Sequence, residues 1–317
     1  MILITGFSGF LGRNLIEALE HEKISLLGRH KYDYLGGARF FQAEINSFEC
    51  FAKALNGCRV VIHCAARVHL MNDESVNSLR DYREVNTAGT LNLARQAVSS
   101  GAKRFIFISS IKVNGESISN CKPFTSSDPK KPEDFYAKSK SEAEEQLLQL
   151  AEDTGLEVVV IRPTLVYGPG VKANFASLMN LVSKGIPLPF GCITDNKRSL
   201  VSVNNLVDLI ITCIDHPKAA NQVFLVSDDH DVSTSEMVRE MAKSLNKPQW
   251  QLPIPKWCYK LAGSIFGKQD VVDRLLGSLQ VDITHTKETL GWKPPQTLEE
   301  GFKQTAEAFL LNKENKK

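Results

Sequence analysis

Apolar runs and amphipathic stretches alternate along the first half of the chain. Met1–Thr5 (MILIT) is a near-continuous apolar run, and Leu11, Leu15, Ile16 and Leu19 repeat at helical spacing directly after it. The first pattern predicts a buried strand and the second a helix with one apolar face. Short apolar runs at Ile24–Leu27, Phe40–Phe41, Val60–Cys64, Arg104–Ile108 and Leu156–Arg162 predict five further strands. Helices are predicted over Ser47–Leu55, with Ser47 as N-cap, over about Ser78–Ser100, and over Asp134–Glu152. Strands that alternate with helices pair in parallel and carry helices on both faces. The predicted fold class is therefore α/β, a doubly wound parallel sheet. From about Pro163 the pattern becomes less regular and is punctuated by Gly and Pro. Short strands (Ser199–Val203, Gln222–Val226) interleave there with helices (Asn205–Asp215, Ser233–Ser244). Residues 1–165 are expected to form the main domain. Residues 166–317 are expected to form mainly a smaller C-terminal α/β substrate lobe, interleaved with the first.

Composition narrows the function classes. Of the 317 residues, 43% are hydrophobic and 23% charged, which is ordinary for a soluble globular chain. The net charge of +2 leaves no basic footprint for nucleic acid. No stretch approaches the roughly 20 apolar residues of a bilayer span, and neither membrane nor nucleic acid is an expected partner. The first residues form a strand with no basic leader, so no signal peptide is read and a cytoplasmic setting is expected. The seven cysteines contain no C-x-x-C pair and are read as reduced. No Cys/His spacing supports a metal site.

Candidate chemistry begins at TGFSGFLG, between the first strand and the first helix. A helix N-terminus has unpaired N–H groups and partial positive charge, so it attracts phosphate. Glycine lets the backbone come close to such a group. Gly6, Gly9 and Gly12 in this strand–helix context form a dinucleotide-binding loop of the Rossmann type. A second stretch, DFYAKSK, puts Tyr136 and Lys140 four apart on one helix face. A lysine ammonium favours the phenolate of a nearby tyrosine, so the pair can move a proton to or from a carbonyl oxygen. Ser109 and Ser110 close the fifth strand at the edge where such folds bind ligands.

With these residues in order, the chain resembles the extended short-chain dehydrogenases/reductases, in the branch that acts on nucleotide sugars. The loop matches TGxxGFLG, which implies that Gly6, Gly9, Phe10, Leu11 and Gly12 lie on the cofactor diphosphate. HCAA implies that Cys64, Ala65 and Ala66 pass under the adenosine, with Glu44 and Ile45 near the adenine. EVNTAGTLNL implies a structural, cofactor-proximal Asn86. FISSIKVNG matches SS-x-x-VYG with Asn114 where Tyr is usual. Counting back five from Gly115 makes Ser110 the catalytic hydroxyl beside Tyr136 and Lys140, with Ser109 toward the cofactor. RPTLVYGPG implies that Pro163 joins the cofactor and substrate lobes. Arg67, His69, Ser110, Lys112, Asn174, Arg198 and Arg274 are implied on the substrate, the two last arginines and Asn174 at its diphosphate. The resemblance also implies a homodimer through the two long helices, to which Ala143, Leu147, Leu148 and Leu150 could contribute, although these could equally face the sheet.

A narrower likeness, carried by HCAARVHLMND, ISSIKVNGE, YGPGVKANF, GIPLPFG and NKRSLVSVNNLVDLI, is to bacterial surface-polysaccharide enzymes. These reduce the C4 keto group of a UDP-4-keto-6-deoxy-N-acetylhexosamine. The leading expectation is such a reductase, and the alternative is a UDP-N-acetylglucosamine/UDP-glucose 4-epimerase with tightly held NAD. Ile111 and Lys112 beside the serine disfavour a dehydratase. A non-catalytic NADP sensor would usually lack the Tyr/Lys pair. Arg29, followed by His30 and Lys31, stands where an acidic residue would favour NAD. NADP(H) is favoured on that ground, and NAD(H) stays open through Asp33.

Overall fold

The apolar N-terminal run forms β1 (Ile2–Thr5), and the glycine loop leads into α1 (Phe10–Ala18). β2 (Ile24–Gly28), β3 (Arg39–Gln42), a short α2 (Ala52–Leu55) and β4 (Val60–His63) follow. A long helical rod is made of α3 (Leu79–Tyr82), a π-helical segment (Arg83–Gly89) and α4 (Thr90–Ser99). β5 (Arg104–Ile108) runs into a 3-10 turn (Ile111–Val113), and α5 (Phe135–Thr154) returns the chain to β6 (Glu157–Pro163). These elements come from a computed structural model that describes residues 1–32, 37–68, 79–118 and 122–314. The second half contains β7 (Leu165–Tyr167), α6 (Ala173–Ser183), β8 (Arg198–Ser202) and α7 (Val203–Asp215). After it come β9 (Gln222–Val226), β10 (Asp231–Val232), α8 (Thr234–Ser244), α9 (Lys256–Phe266), α10 (Gln269–Leu276), α11 (Thr284–Leu290) and α12 (Leu298–Glu314).

Among the described residues, seven strands form one sheet in the order β3-β2-β1-β4-β5-β6-β9, and every pair is parallel. Alternate side chains point to opposite faces, and both faces are covered. Ile2, Ile4, Ile62, Ile106 and Val159 pack with Leu15 of α1 and Leu206 and Ile210 of α7. Leu3, Val61, Phe105, Phe107 and Val158 pack with Ala54 of α2, Leu93 of α4, and Ala143 and Leu147 of α5. Ala143 and Leu147 thus face the sheet and are closed to a dimer partner. The strand order reverses between β1 and β4, which opens a crevice at the carboxyl ends of the strands. A second core around Tyr167, Phe175, Met179, Met241 and Phe302 fills the smaller lobe, beside the three-stranded sheet β10-β8-β7.

Several boundaries differ from the sequence pattern. Gln222–Val226 closes the main sheet beside β6 rather than building the second lobe. Its apolar pattern could serve either sheet, and only pairing decides. Ser47 caps no helix: its N–H and hydroxyl both donate to Glu84, at 2.9 and 2.7 Å. The chain turns at Asn46 instead, and α2 begins only after Phe51, whose N–H donates to Gln96 at 2.7 Å. Asp134 stands outside α5 as its N-cap, accepting the Ala137 N–H at 2.6 Å. Ser233 opens α8 in a capping box with Glu236.

Candidate active site

The glycine loop is built by close packing. Gly6 has φ +68°, a left-handed conformation that favours glycine, and a Cβ there would stand 2.5 Å from the Ala65 nitrogen. A Cβ on Gly12 would overlap the Gly6 carbonyl and stand 2.8 Å from the Phe7 carbonyl carbon. Gly9 is the N-cap of α1 and supplies no side-chain cap, and the first turn holds no acidic residue. The N-terminal amides and dipole of α1 are therefore left to an external anion. These features fit the diphosphate of a dinucleotide. Phe10 and Leu11 are partly buried against the sheet core. At the end of β4, Cys64, Ala65 and Ala66 are half-buried opposite Gly6. Burial pushes the Cys64 thiol up to about 12, with Lys140 opposing, so it stays a neutral thiol. Ile45 is buried where Gly89 approaches it, while Glu44 and Arg29 are exposed.

A buried polar chain fixes this cradle. Thr5 Oγ1 accepts the Ala65 N–H at 3.2 Å and lies 2.7 Å from His63 Nδ1. His63 Nε2 lies 2.9 Å from Thr90 Oγ1. Burial and the Lys140 charge lower His63 to about 3, so it is a neutral packing residue. Asn86 is a clamp: its carboxamide accepts from Arg67 N at 2.8 Å and donates to Arg67 O and Ser139 Oγ, both at 3.0 Å. Thr87 Oγ1 donates to Ser139 O at 2.9 Å. The π-helical widening lets two successive residues reach α5, and it joins the β4 loop to the turn that carries Lys140.

The candidate reacting groups stand where β5 and α5 converge. Ser110, half-buried, caps the 3-10 turn and accepts the Lys112 N–H at 3.3 Å. Tyr136 lies in the first turn of α5 and Lys140 one turn later. Lys140 is buried, donates to Ile108 O at 2.8 Å and stands 4.3 Å above the Phe107 ring. Burial lowers its ammonium to about 8, against Cys64 and Glu144, so the group stays largely charged at pH 7. Burial and the Asp134 carboxylate push the Tyr136 phenol above its ordinary range. This reverses the direction expected from Lys140 alone: in the protein by itself burial and Asp134 set the direction, and the phenol keeps its proton.

Two expected ligand contacts are replaced by internal ones. The Ser109 hydroxyl turns away from the crevice and donates to Glu144 at 2.5 Å. Lys112 donates to Glu116 at 2.6 Å and Asp134 at 2.7 Å, which fastens the Ser110 turn to the start of α5. Glu144 itself carries no sequence signal. It is fully buried, four residues past Lys140, and receives both Nε (2.9 Å) and Nη2 (2.6 Å) of buried Arg162. Arg162 Nη1 also donates to Asn114 Oδ1 at 3.0 Å. Asn114, where the resemblance expects Tyr, is thus part of a buried network under the Ser110 turn. Pro163 is buried at the end of β6, opposite Val226.

Of the residues expected on the substrate, Arg198 and Arg274 are brought together. Arg198 Nη1 donates to Arg274 O at 2.7 Å and Gly277 O at 3.2 Å. Burial and the Arg274 cation lower Arg198 below its usual range, so the pair has reason to take an anion. The strand-like segment 278–281 links it to the chain that follows the Ser110 turn. Leu279 O accepts from Ser199 N at 2.9 Å, and Ser278 O and Gln280 O accept from Ile118 N (3.0 Å) and Phe124 N (2.8 Å). Asn174 lies in the first turn of α6; its side chain, with His69 and Asp33, lies outside the described residues. Among the described residues no group of His, Cys, Asp and Glu could hold a metal ion. No helix there is long and apolar enough to cross a membrane.

The chain is 66% identical over 312 residues to a Vibrio cholerae protein named UDP-glucose 4-epimerase, covering 98% of this chain and 95% of that one. Its fold matches the crystal structure of a Thermotoga maritima UDP-glucose 4-epimerase with UDP-glucose at TM-score 0.78 and 23% identity, covering 98% and 99% of the two chains. It also matches the Bordetella bronchiseptica enzyme WbmG in complex with NAD at TM-score 0.76 and 19% identity, covering 98% and 94%. The NAD dependent epimerase/dehydratase family matches over residues 2–227. With its glycine cradle, its Tyr136/Lys140 helix and this match over most of its length, the chain belongs to the NAD dependent epimerase/dehydratase family.

Proposed function

We propose that the protein is a UDP-sugar 4-epimerase that interconverts UDP-glucose and UDP-galactose with tightly held NAD. The observation that carries this reading is the 66% identity to a UDP-glucose 4-epimerase, and Tyr136 and Lys140 on one face of α5, with Ser110 and the Gly6–Gly12 cradle, supply the chemistry it needs. It corrects the expected reduction of a 4-keto-6-deoxy sugar, which the 66% identity to a UDP-glucose 4-epimerase overturns. NAD rather than NADP(H) is supported by the family and by the WbmG complex. The expectation of NADP(H) rests on Arg29, His30 and Lys31 in place of an acidic residue after β2, and all three are exposed.

The chemistry the dinucleotide supplies is reversible acceptance of a hydride from C4 of the sugar. Tyr136 takes the proton of the C4 hydroxyl as the hydride leaves, so C4–OH becomes C4=O. It gives the proton back when the hydride returns to the other face, and no external reductant is consumed. Lys140 supplies the cation that makes the phenolate accessible. Ser110, whose hydroxyl is half-exposed at the strand end, positions the C4 oxygen. Arg198 and Arg274 hold the UDP diphosphate through charge-assisted hydrogen bonds, which leaves the hexose free to turn over between the two half-reactions. A cytoplasmic setting is consistent with free thiols at Cys50, Cys58, Cys64, Cys192, Cys213 and Cys258. A homodimer through the outer faces of α4 and α5 rests on the family resemblance.

Purified protein given UDP-glucose and no added cofactor should form UDP-galactose, read by ion-exchange chromatography. The Tyr136→Phe variant should bind UDP-glucose and lose nearly all conversion. A protein that leaves UDP-glucose unchanged, or a Tyr136→Phe variant that converts it at the parent rate, would overturn the reading.

A further inference from the structure

Large apolar side chains stand in solvent along one side of α9. Trp257, Leu261 and Ile265 recur every four residues and are 65%, 54% and 68% exposed, and Phe266 ends the helix at 74%. Such a stripe normally faces a core. Here the core is met by another face: Tyr259 packs on the second-lobe core, and Gly263 lies against Val272 of α10. The helix is therefore apolar on its inner side and again on its outer side. Trp250 and Leu252, in the approach to α9, are also exposed. Lysines predominate along this surface: residues 246–269 contain Lys247, Lys256, Lys260 and Lys268 and no acidic residue, with Asp270 next in the chain and Lys256 ion-paired to Asp195. The whole chain carries only +2, so the rest of it is net negative.

We propose that this face of α9 docks on an anionic lipid bilayer. Trp257, Leu261, Ile265 and Phe266 enter the headgroup–acyl boundary, and Lys260 and Lys268 lie on the lipid phosphates, while Lys256 stays paired with Asp195. Lys256 and Lys260 share one flank of the stripe, and Lys268 follows its end. A second copy of the chain is a poor occupant, because two such faces would bring Lys260 and Lys268 together, and the carboxylate at the face, Asp195, is already taken by Lys256. The α9–α10 hairpin also carries Arg274 against Arg198, so docking brings the arginine pair close to the membrane surface. The helix lies on the bilayer and does not span it.

The test is flotation of the full-length protein with vesicles of phosphatidylglycerol and phosphatidylethanolamine, against vesicles of phosphatidylcholine alone. The protein should float with the anionic vesicles, and its tryptophan emission should shift blue. Trp250 and Trp257 would report this shift, because Trp292 is already buried. Leu261→Ser/Ile265→Ser and Lys260→Glu/Lys268→Glu should each cut the bound fraction about ten-fold or more with unchanged Tm. Failure to float with anionic vesicles, or equal flotation by both double variants, would overturn the proposal. So would a concentration-dependent dimer that Leu261→Ser/Ile265→Ser abolishes without any vesicle binding. None of these readouts depends on epimerase activity.

Discussion

Replacing Lys140 by methionine should destroy turnover and yet stabilise the fold. Lys140 is 1% exposed, and burial takes its ammonium from the ordinary 10.5 down to about 8. Each tenfold loss of proton affinity on folding is worth roughly 1.4 kcal/mol. At pH 7, where both folded and unfolded states bind the proton, the charge therefore costs the fold about 3 kcal/mol. Methionine keeps most of the side-chain volume and removes the charge, but it strips Ile108 O of its donor, a loss of about 1 kcal/mol. The cofactor-free variant should be about 2 kcal/mol more stable than the parent at pH 7. The sign with pH follows from the depressed folded value. Between about 8 and 10.5 the unfolded chain binds more protons, so parent stability rises with pH through that window. The variant's advantage should be largely gone by about pH 9.5. Urea titrations of both proteins at pH 7 and pH 9.5 measure this. A variant less stable than the parent at pH 7, or a gap that ignores pH, would refute the reasoning.

Two further substitutions probe the site's supports. Gly12→Ala places a Cβ against the Gly6 carbonyl and the Phe7 backbone, neither of which can rotate away. It should cost on the order of 1–3 kcal/mol in urea unfolding and release bound dinucleotide, read by absorbance of the purified protein. Glu144→Gln leaves the Arg162 guanidinium buried without its carboxylate. A loss of about 3 kcal/mol is expected from the unfolding midpoint, and a loss under about 0.5 kcal/mol would show that the network under Ser109 bears little stability.

The strands were legible because their apolar runs are short and bounded. Arg104–Ile108 and Gln222–Val226 appear with the expected ends. Where a strand pairs was not legible, since a run buried on both faces looks the same in either sheet. The π-helical segment left no trace, because its residues keep helical composition while only the hydrogen-bond register changes. The Gly6–Gly12 cradle and the Tyr136/Lys140 pair could be read locally, each lying within one strand–helix turn or one helix face. Glu144 could not: a glutamate on a Lys- and Glu-rich helix reads as solvated, and its partner Arg162 is 18 residues away on a strand. The placements of Ser109 and Lys112 depended on carboxylates at Glu144, Glu116 and Asp134, which spacing does not reveal. The direction of the Tyr136 shift depended on burial, which a motif does not carry.

In a 4-epimerase that holds its own NAD, the hydrogen that leaves C4 is the one that returns to it. UDP-glucose deuterated at C4 should be incubated with the purified protein and no added cofactor, and the UDP-galactose examined by NMR and mass spectrometry. Galactose-configured product that keeps its deuterium at C4 is expected. Product that carries solvent hydrogen at C4, or conversion only when reduced nicotinamide cofactor is added and consumed, would contradict it.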